Sequence, residues 1–188
     1  MRGYRKNCRC ADALQNRYQR AFTRLGHAMF PQPEGHYLAQ INVSVSRYDQ
    51  DDPRFAGFTS RIDAVNAIAE RAEGFVWRLK SDGGSAMDIR ASEDPRFLIN
   101  MSVWTTAQAL EDFVWKTAHV KVYNQKAEWF PSLGTAHMAF WWVPVGHIPT
   151  YDDGMRRLEA LRANGPSEAA FGWESLPQVA EWRSKRCG

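Results

Sequence analysis

The stretch "FLINMSVWTTAQALEDFVWKTAHVKVYNQKAEWF", Phe97 to Phe130, decides the fold. Its first residues alternate: Asn100, Ser102 and Trp104 point to one side and Ile99, Met101 and Val103 to the other, the period of a half-buried strand. After Thr105 and Thr106, either of which can cap a helix, the period lengthens. On a wheel of about 100° per residue, Leu110, Phe113, Val114 and Thr117 share one face. Trp115, His119, Val122, Tyr123, Lys126 and Phe130 fall on a second face, nearly opposite. A stripe that changes sides at Thr117–His119 predicts a kink or break there, or a helix buried on both sides. His119 sits at the switch, and local inconsistencies of this kind tend to mark functional sites.

Working outward, "YLAQINVSVS" (Tyr37–Ser46) sets Leu38, Gln40, Asn42 and Ser44 against Ala39, Ile41, Val43 and Val45, another half-buried strand. "DDPRFAGFTSRIDAVNAIAERAEG" follows with Phe55, Phe58, Ile62, Val65, Ile68 and Ala69 at helical spacing. Asp52 before Pro53 reads as an N-cap, and Gly74 as a stop. "FVWRLK" (Phe75–Lys80) is a short strand, with Trp77 on the side opposite Val76 and Arg78. "AHMAFWWVPVGHIP" is an apolar strand ended by prolines, and "TYDDGMRRLEALRANGP" a last helix capped by Thr150.

The order is β-α-β, β-α-β, then a helix. That pattern predicts an α+β chain of the ferredoxin-like, split-βαβ kind: one antiparallel sheet with two helices on one face, plus a C-terminal helix. The other face would be left uncovered, and pairing two sheets face to face in a homodimer would bury it.

A length of 188 residues argues for one domain with extensions. We divide it into a basic, partly flexible arm (1–33), a domain (34–173) and a tail (174–188). With 44% hydrophobic residues and 8 tryptophans the chain can bury a real core. No apolar run reaches the ~18 residues of a bilayer span, so a soluble protein is expected. The arm carries seven basic residues against Asp12, a charge of +6 against +3 overall, and a weak helical pattern through Leu14, Tyr18, Phe22 and Leu25. An arm of that charge allows contact with nucleic acid, but a solvated extension is the preferred reading. Cys8, Cys10 and Cys187 lie near the ends and form no disulfide framework, which suits a cytoplasmic location. Cys8 and Cys10 with His27 fall short of a zinc set, and "DDP" reads as a cap rather than a metal site. The five histidines show no metal spacing, and P-loop, GxGxxG and GxSxG motifs are absent.

Strand parity gathers a candidate pocket. A sheet face bearing Asn42, Asn100 and Trp104 beneath a helical His119 would combine apolar walls with a few polar groups, the usual make-up of a small-molecule site. We take His119, Asn100 and Trp104 as the catalytic candidates, and Asn42, Trp77, Trp115, Tyr123 and Trp142 as substrate contacts. The bland reading is that the histidine is structural, the asparagines satisfy backbone, and the tryptophans are core.

The segments "LAQINVS", "DDPRFAGFTSRIDAVNAIAERAEGFVWRL", "FLINMSVWTTAQALEDFVWKTAHVKVYNQKAEWF" and "AFWWVPVGHIPTYDDGMRRLEALRANGPSEAAFGW" resemble the domain of unknown function 3291 family, within the dimeric α/β-barrel superfamily. The resemblance runs from Leu38 to Trp173. It implies a homodimer and a chemistry among those of the superfamily: haem degradation, cofactor-free oxygenation of polycyclic phenols, decarboxylation, cyclisation, or none. The haem-degrading branch implies roles for Asn42, Trp104 and His119, and so makes haem a possible cofactor. The cofactor-free branch, with an Asn and a Trp four apart on a strand, implies Asn100 and Trp104. The expectation is a cofactor-independent monooxygenase acting on a hydrophobic aromatic or polyketide-like substrate. A cyclase or isomerase, a haem-binding oxygenase and a non-catalytic binding or stress protein are the alternatives.

Overall fold

The alternation in β1 (His36–Val45) and β3 (Phe97–Trp104) is realised as two central antiparallel strands in register, Leu38 opposite Trp104, Gln40 opposite Ser102 and Asn42 opposite Asn100. The structure is a computed structural model that describes residues 30–176 except 85 and 90. Most of the basic arm, its cysteines with His27 and nearly all of the tail therefore lie outside the described residues. β2 (Phe75–Arg78) flanks β3, and β4 (Met138–Pro144) flanks β1, giving the order β2-β3-β1-β4 in an antiparallel sheet. Both connections, β1 to β2 and β3 to β4, pass over an intervening strand. The chain is α+β, with four α-helices among the described residues: α1 (Ala56–Glu70), α2 (Ala107–Lys116), α3 (His119–Trp129) and α4 (Tyr151–Asn164).

The helix starts follow their sequence signals. Asp52 accepts the Arg54 backbone N–H at 2.8 Å and opens a single 3-10 turn, Pro53–Phe55, that runs into α1. The Arg54 side chain adds further hydrogen bonds, which with the backbone bond pull the Asp52 carboxyl down to about 2. Thr106 caps α2 through the Ala109 N–H, and Thr150 with Asp153 forms a complete capping box on α4.

The two sheet faces are covered differently. On one, Ile41, Met101, Val103 and Trp141 are each at most 2% exposed, packed with Leu158 and Leu161 of α4. Gly154 lets α4 approach this closely: a Cβ there would stand 2.9 Å from both Ile41 Cδ1 and Met101 Cε. The sequence expectation of an open second face is thus corrected. The chain's own last helix buries it, and the burial argument for pairing two sheets face to face loses its premise. The other face lies beneath α1, α2 and α3, and it is not filled.

Candidate functional site

Between that face and the three helices lies a cavity of about 480 Å³. Its floor is polar because β1 and β3 set Gln40, Ser102 and Asn100 side by side. Gln40, buried, donates from Nε2 to Asn100 Oδ1 at 2.7 Å and to Ser102 Oγ at 2.9 Å. Ser102 Oγ also accepts the Trp104 indole N–H at 2.8 Å. The Trp104 N–H is therefore committed to the protein, and its ring serves as wall. With its carbonyl held by Gln40, Asn100 keeps its own N–H donors for whatever sits above.

The walls are aromatic. Phe113 stacks on Trp104 with centroids 5.2 Å apart, and Phe75 meets Trp104 edge-on at 5.4 Å. Trp115 and Tyr123 meet edge to face at 4.9 Å. These contacts are possible because the Phe113–Phe130 stretch is two helices. Thr117 adopts an extended backbone between α2 and α3; its Oγ1 donates to the Phe113 carbonyl at 2.6 Å and accepts the His119 backbone N–H at 3.2 Å. One hydroxyl ends α2 and starts α3. The break turns α3 so that the second stripe, Trp115 to Phe130, faces the same cavity as the first.

His119 lies between Phe113, at 5.0 Å, and Tyr123, at 6.4 Å. Its Nδ1 is buried with no hydrogen-bond partner among the described residues. Burial lowers the imidazole pKa below the ordinary histidine value, and a hydrogen bond with the Val114 backbone partly opposes this. Burial therefore favours the neutral ring. His137, at the mouth and largely exposed, is also lowered, first by the buried part of its ring and then by the charges of Lys126 and Arg162.

Six of the eight candidates from the sequence come together here: His119, Asn100, Trp104, Asn42, Trp115 and Tyr123 all line the cavity. Trp77 does not. The β2–β3 register shifts between Phe75 and Trp77, a bulge that sends Phe75 and Arg78 to the cavity side and packs Trp77 against the α4 core. Trp142 does not either. It sits at the far end of the cavity-side face, opposite Leu38, where Phe171 packs on it at 5.7 Å and it borders a separate recess with His36 and Glu168. Its Nε1 is buried and unpaired among the described residues.

Sequence reading missed Gln40, Ser102, Asn66 and Arg61. Gln40 and Ser102 carried the signal of strand parity already used for Asn42 and Asn100. Asn66 interrupts the apolar stripe of α1 next to Val65 and is buried against the cavity. Arg61 is exposed but lines the cavity and donates to Gln125 Oε1 on α3 at 2.5 Å. Among the described residues no three His, Cys, Asp or Glu side chains gather as a metal site, and no helix is long and apolar enough to cross a membrane.

Fold and site together define an α+β protein with an aromatic-walled, amide-floored cavity between an antiparallel sheet and its helices. The family model for a domain of unknown function, DUF3291, matches residues 37–187, and the chain belongs to that family. The match extends past Trp173, where the resemblance noted in the sequence ended. A crystal structure of the NE2512 protein of unknown function from Nitrosomonas europaea is similar at 8% identity, covering 63% of this chain and 97% of that one, with a TM-score of 0.40. No curated protein matches the chain.

Proposed function

We propose that the cavity binds a hydrophobic, ring-bearing molecule and that the protein is a cofactor-independent monooxygenase acting on it. The observation that carries this reading is the hydrogen-bonded floor of Gln40, Ser102 and Asn100 beneath otherwise aromatic walls, since amide donors in an apolar enclosure suit a developing oxyanion. On this reading Asn100 donates to the oxygen of a phenol or enol while neutral His119 takes its proton. The resulting carbanion passes an electron to O₂, the two radicals combine as a carbon-bound peroxide, and loss of water leaves a ketone. The substrate is the reductant, and one O₂ yields one new carbonyl and one water.

Haem fits less well: His119, the residue that would hold it, sits between Phe113 and Tyr123 with its Nδ1 enclosed rather than presented to the cavity. The strand order, with both connections crossing one strand, supports the ferredoxin-like, split-βαβ classification. The dimeric-barrel form of that fold needs an open sheet face, where α4 lies here.

Oxygen-electrode measurements on polycyclic phenols, with Asn100→Ala and His119→Ala beside the native chain, test the reaction. Oxygen uptake lost in both variants is expected. Turnover without uptake would move the assignment to a cyclase or isomerase, and saturable binding without turnover to a carrier. Unchanged turnover in His119→Ala would remove that residue from the chemistry.

A further inference from the structure

Among the described residues the cavity lining has no acidic side chain: Arg61, Arg78 and Lys126 line it, and neither aspartate nor glutamate does. Arg78 is already neutralised by Glu70 at 2.8 Å and anchored to the Gly84 carbonyl. Arg61 and Lys126 are different. Among the described residues neither has a carboxylate partner: Arg61 donates to the neutral Gln125, and Lys126 lies over the Tyr123 ring at 3.8 Å. Gln125 and Lys126 are neighbours on α3, so Arg61 and Lys126 both stand on the α3 side of the cavity. The charge of Lys126 is felt by His137, which also lines the cavity. Two exposed cations without a carboxylate partner beside an apolar enclosure give this side of the cavity a positive potential that favours a bound anion.

The amides of the lining sharpen the polarity of the arrangement. Asn66, buried on α1, and Asn100 on β3 offer N–H donors to the cavity, while the two cations without a carboxylate partner, Arg61 and Lys126, are exposed. An occupant that fits is amphipathic along its length, with an aromatic body inside and an acid group at the opening. We infer that the ligand is an aromatic carboxylate, its ring system between Trp104, Phe113 and Tyr123 and its carboxylate between Arg61 and Lys126. This rests on the small-molecule reading above and names the chemical class of that site's ligand.

The test compares 2-naphthoate with its near-isosteric neutral amide, 2-naphthamide, by tryptophan fluorescence, since Trp104 and Trp115 line the cavity. The carboxylate is expected to bind about tenfold more tightly at low salt, by charge-assisted hydrogen bonding. Because both cations are exposed, the preference should shrink as salt is raised. In the double variant Arg61→Gln, Lys126→Met the preference should fall to about one, read against the amide in the same variant and with a thermal melt showing that it folds. Equal binding of the two probes by the native chain, or a preference that survives the double variant, overturns the inference and leaves the small-molecule reading standing. Binding of neither probe overturns both.

Discussion

The two faces of one sheet obey the same alternation and end in opposite states. The α4 face is closed: Ile41, Met101, Trp141 and Leu158 are essentially inaccessible, and even a glycine is used to bring the helix into contact. The opposite face keeps about 480 Å³ empty and hydrogen-bonds its floor side chain to side chain. The difference is one of residue choice at alternate positions. Ala39, Ile41 and Val43 can only be buried by packing, whereas Gln40, Asn42 and Ser44 must find polar partners or a polar occupant. Stability is thereby concentrated on one side, and the function proposed here places recognition on the other.

The largest expected effect would break the closed face. Leu158→Ala should cost about 2–5 kcal/mol, because the well-packed layer under α4 has little room to collapse into the void. Chemical denaturation measures it, and a loss below about 1 kcal/mol would mean that α4 is not the cover described here. Asn100→Ala on the open face should behave in reverse. It removes one acceptor from Gln40 at a cost of about 1 kcal/mol, and it should weaken binding of a cavity probe such as 2-naphthamide much more visibly. If Asn100→Ala leaves probe binding unchanged, the floor is structural.

Thr117→Ala comes next and tests the hinge between the two stripes. It deletes the hydroxyl that both ends α2 and starts α3, at about 1 kcal/mol. The sharper expectation is a changed fluorescence of Trp115, whose ring meets Tyr123 across that break. An unaltered tryptophan spectrum would show that the break holds without its cap.

This hinge is also where the sequence was most informative. A helix pattern that changes sides must either bend or bury both faces, so a break near Thr117 was one of two outcomes legible from Leu110, Phe113, Trp115 and His119, and the structure takes it. Strand parity was equally legible in β1 and β3, because both run without interruption. It failed at Trp77, where a bulge adds one residue to β2 and inverts every later side chain; four residues are too few for alternation to reveal that. It also failed for Trp142, which has the right parity but lies near the segment that brings Phe171 against it. That contact is tertiary and leaves no local trace. The open second face was misjudged for a related reason. The last helix was visible in the sequence, but Gly154, which lets it sit on the sheet, looks only like a weak helix residue.

The smallest effect separates the two faces by pH. Among the described residues no histidine is buried on the α4 side, whereas the cavity is lined by His119 and His137, both lowered mainly by burial. A histidine whose folded pKa lies below the unfolded value of 6.5 resists a proton that the unfolded chain accepts. The unfolded state then binds more protons, so stability is full above 6.5 and falls as pH drops through it toward the folded value. His119→Asn should flatten part of that slope, leaving the share from His137. The rim cations act on that share: Lys126→Met should raise the His137 pKa and reduce it further. Leu158→Ala should instead lower the whole stability curve between pH 5 and 8 and leave its slope unchanged. Should His119→Asn leave the slope intact while Leu158→Ala alters it, the ionisable and the packed halves of the molecule would have to be exchanged in this account.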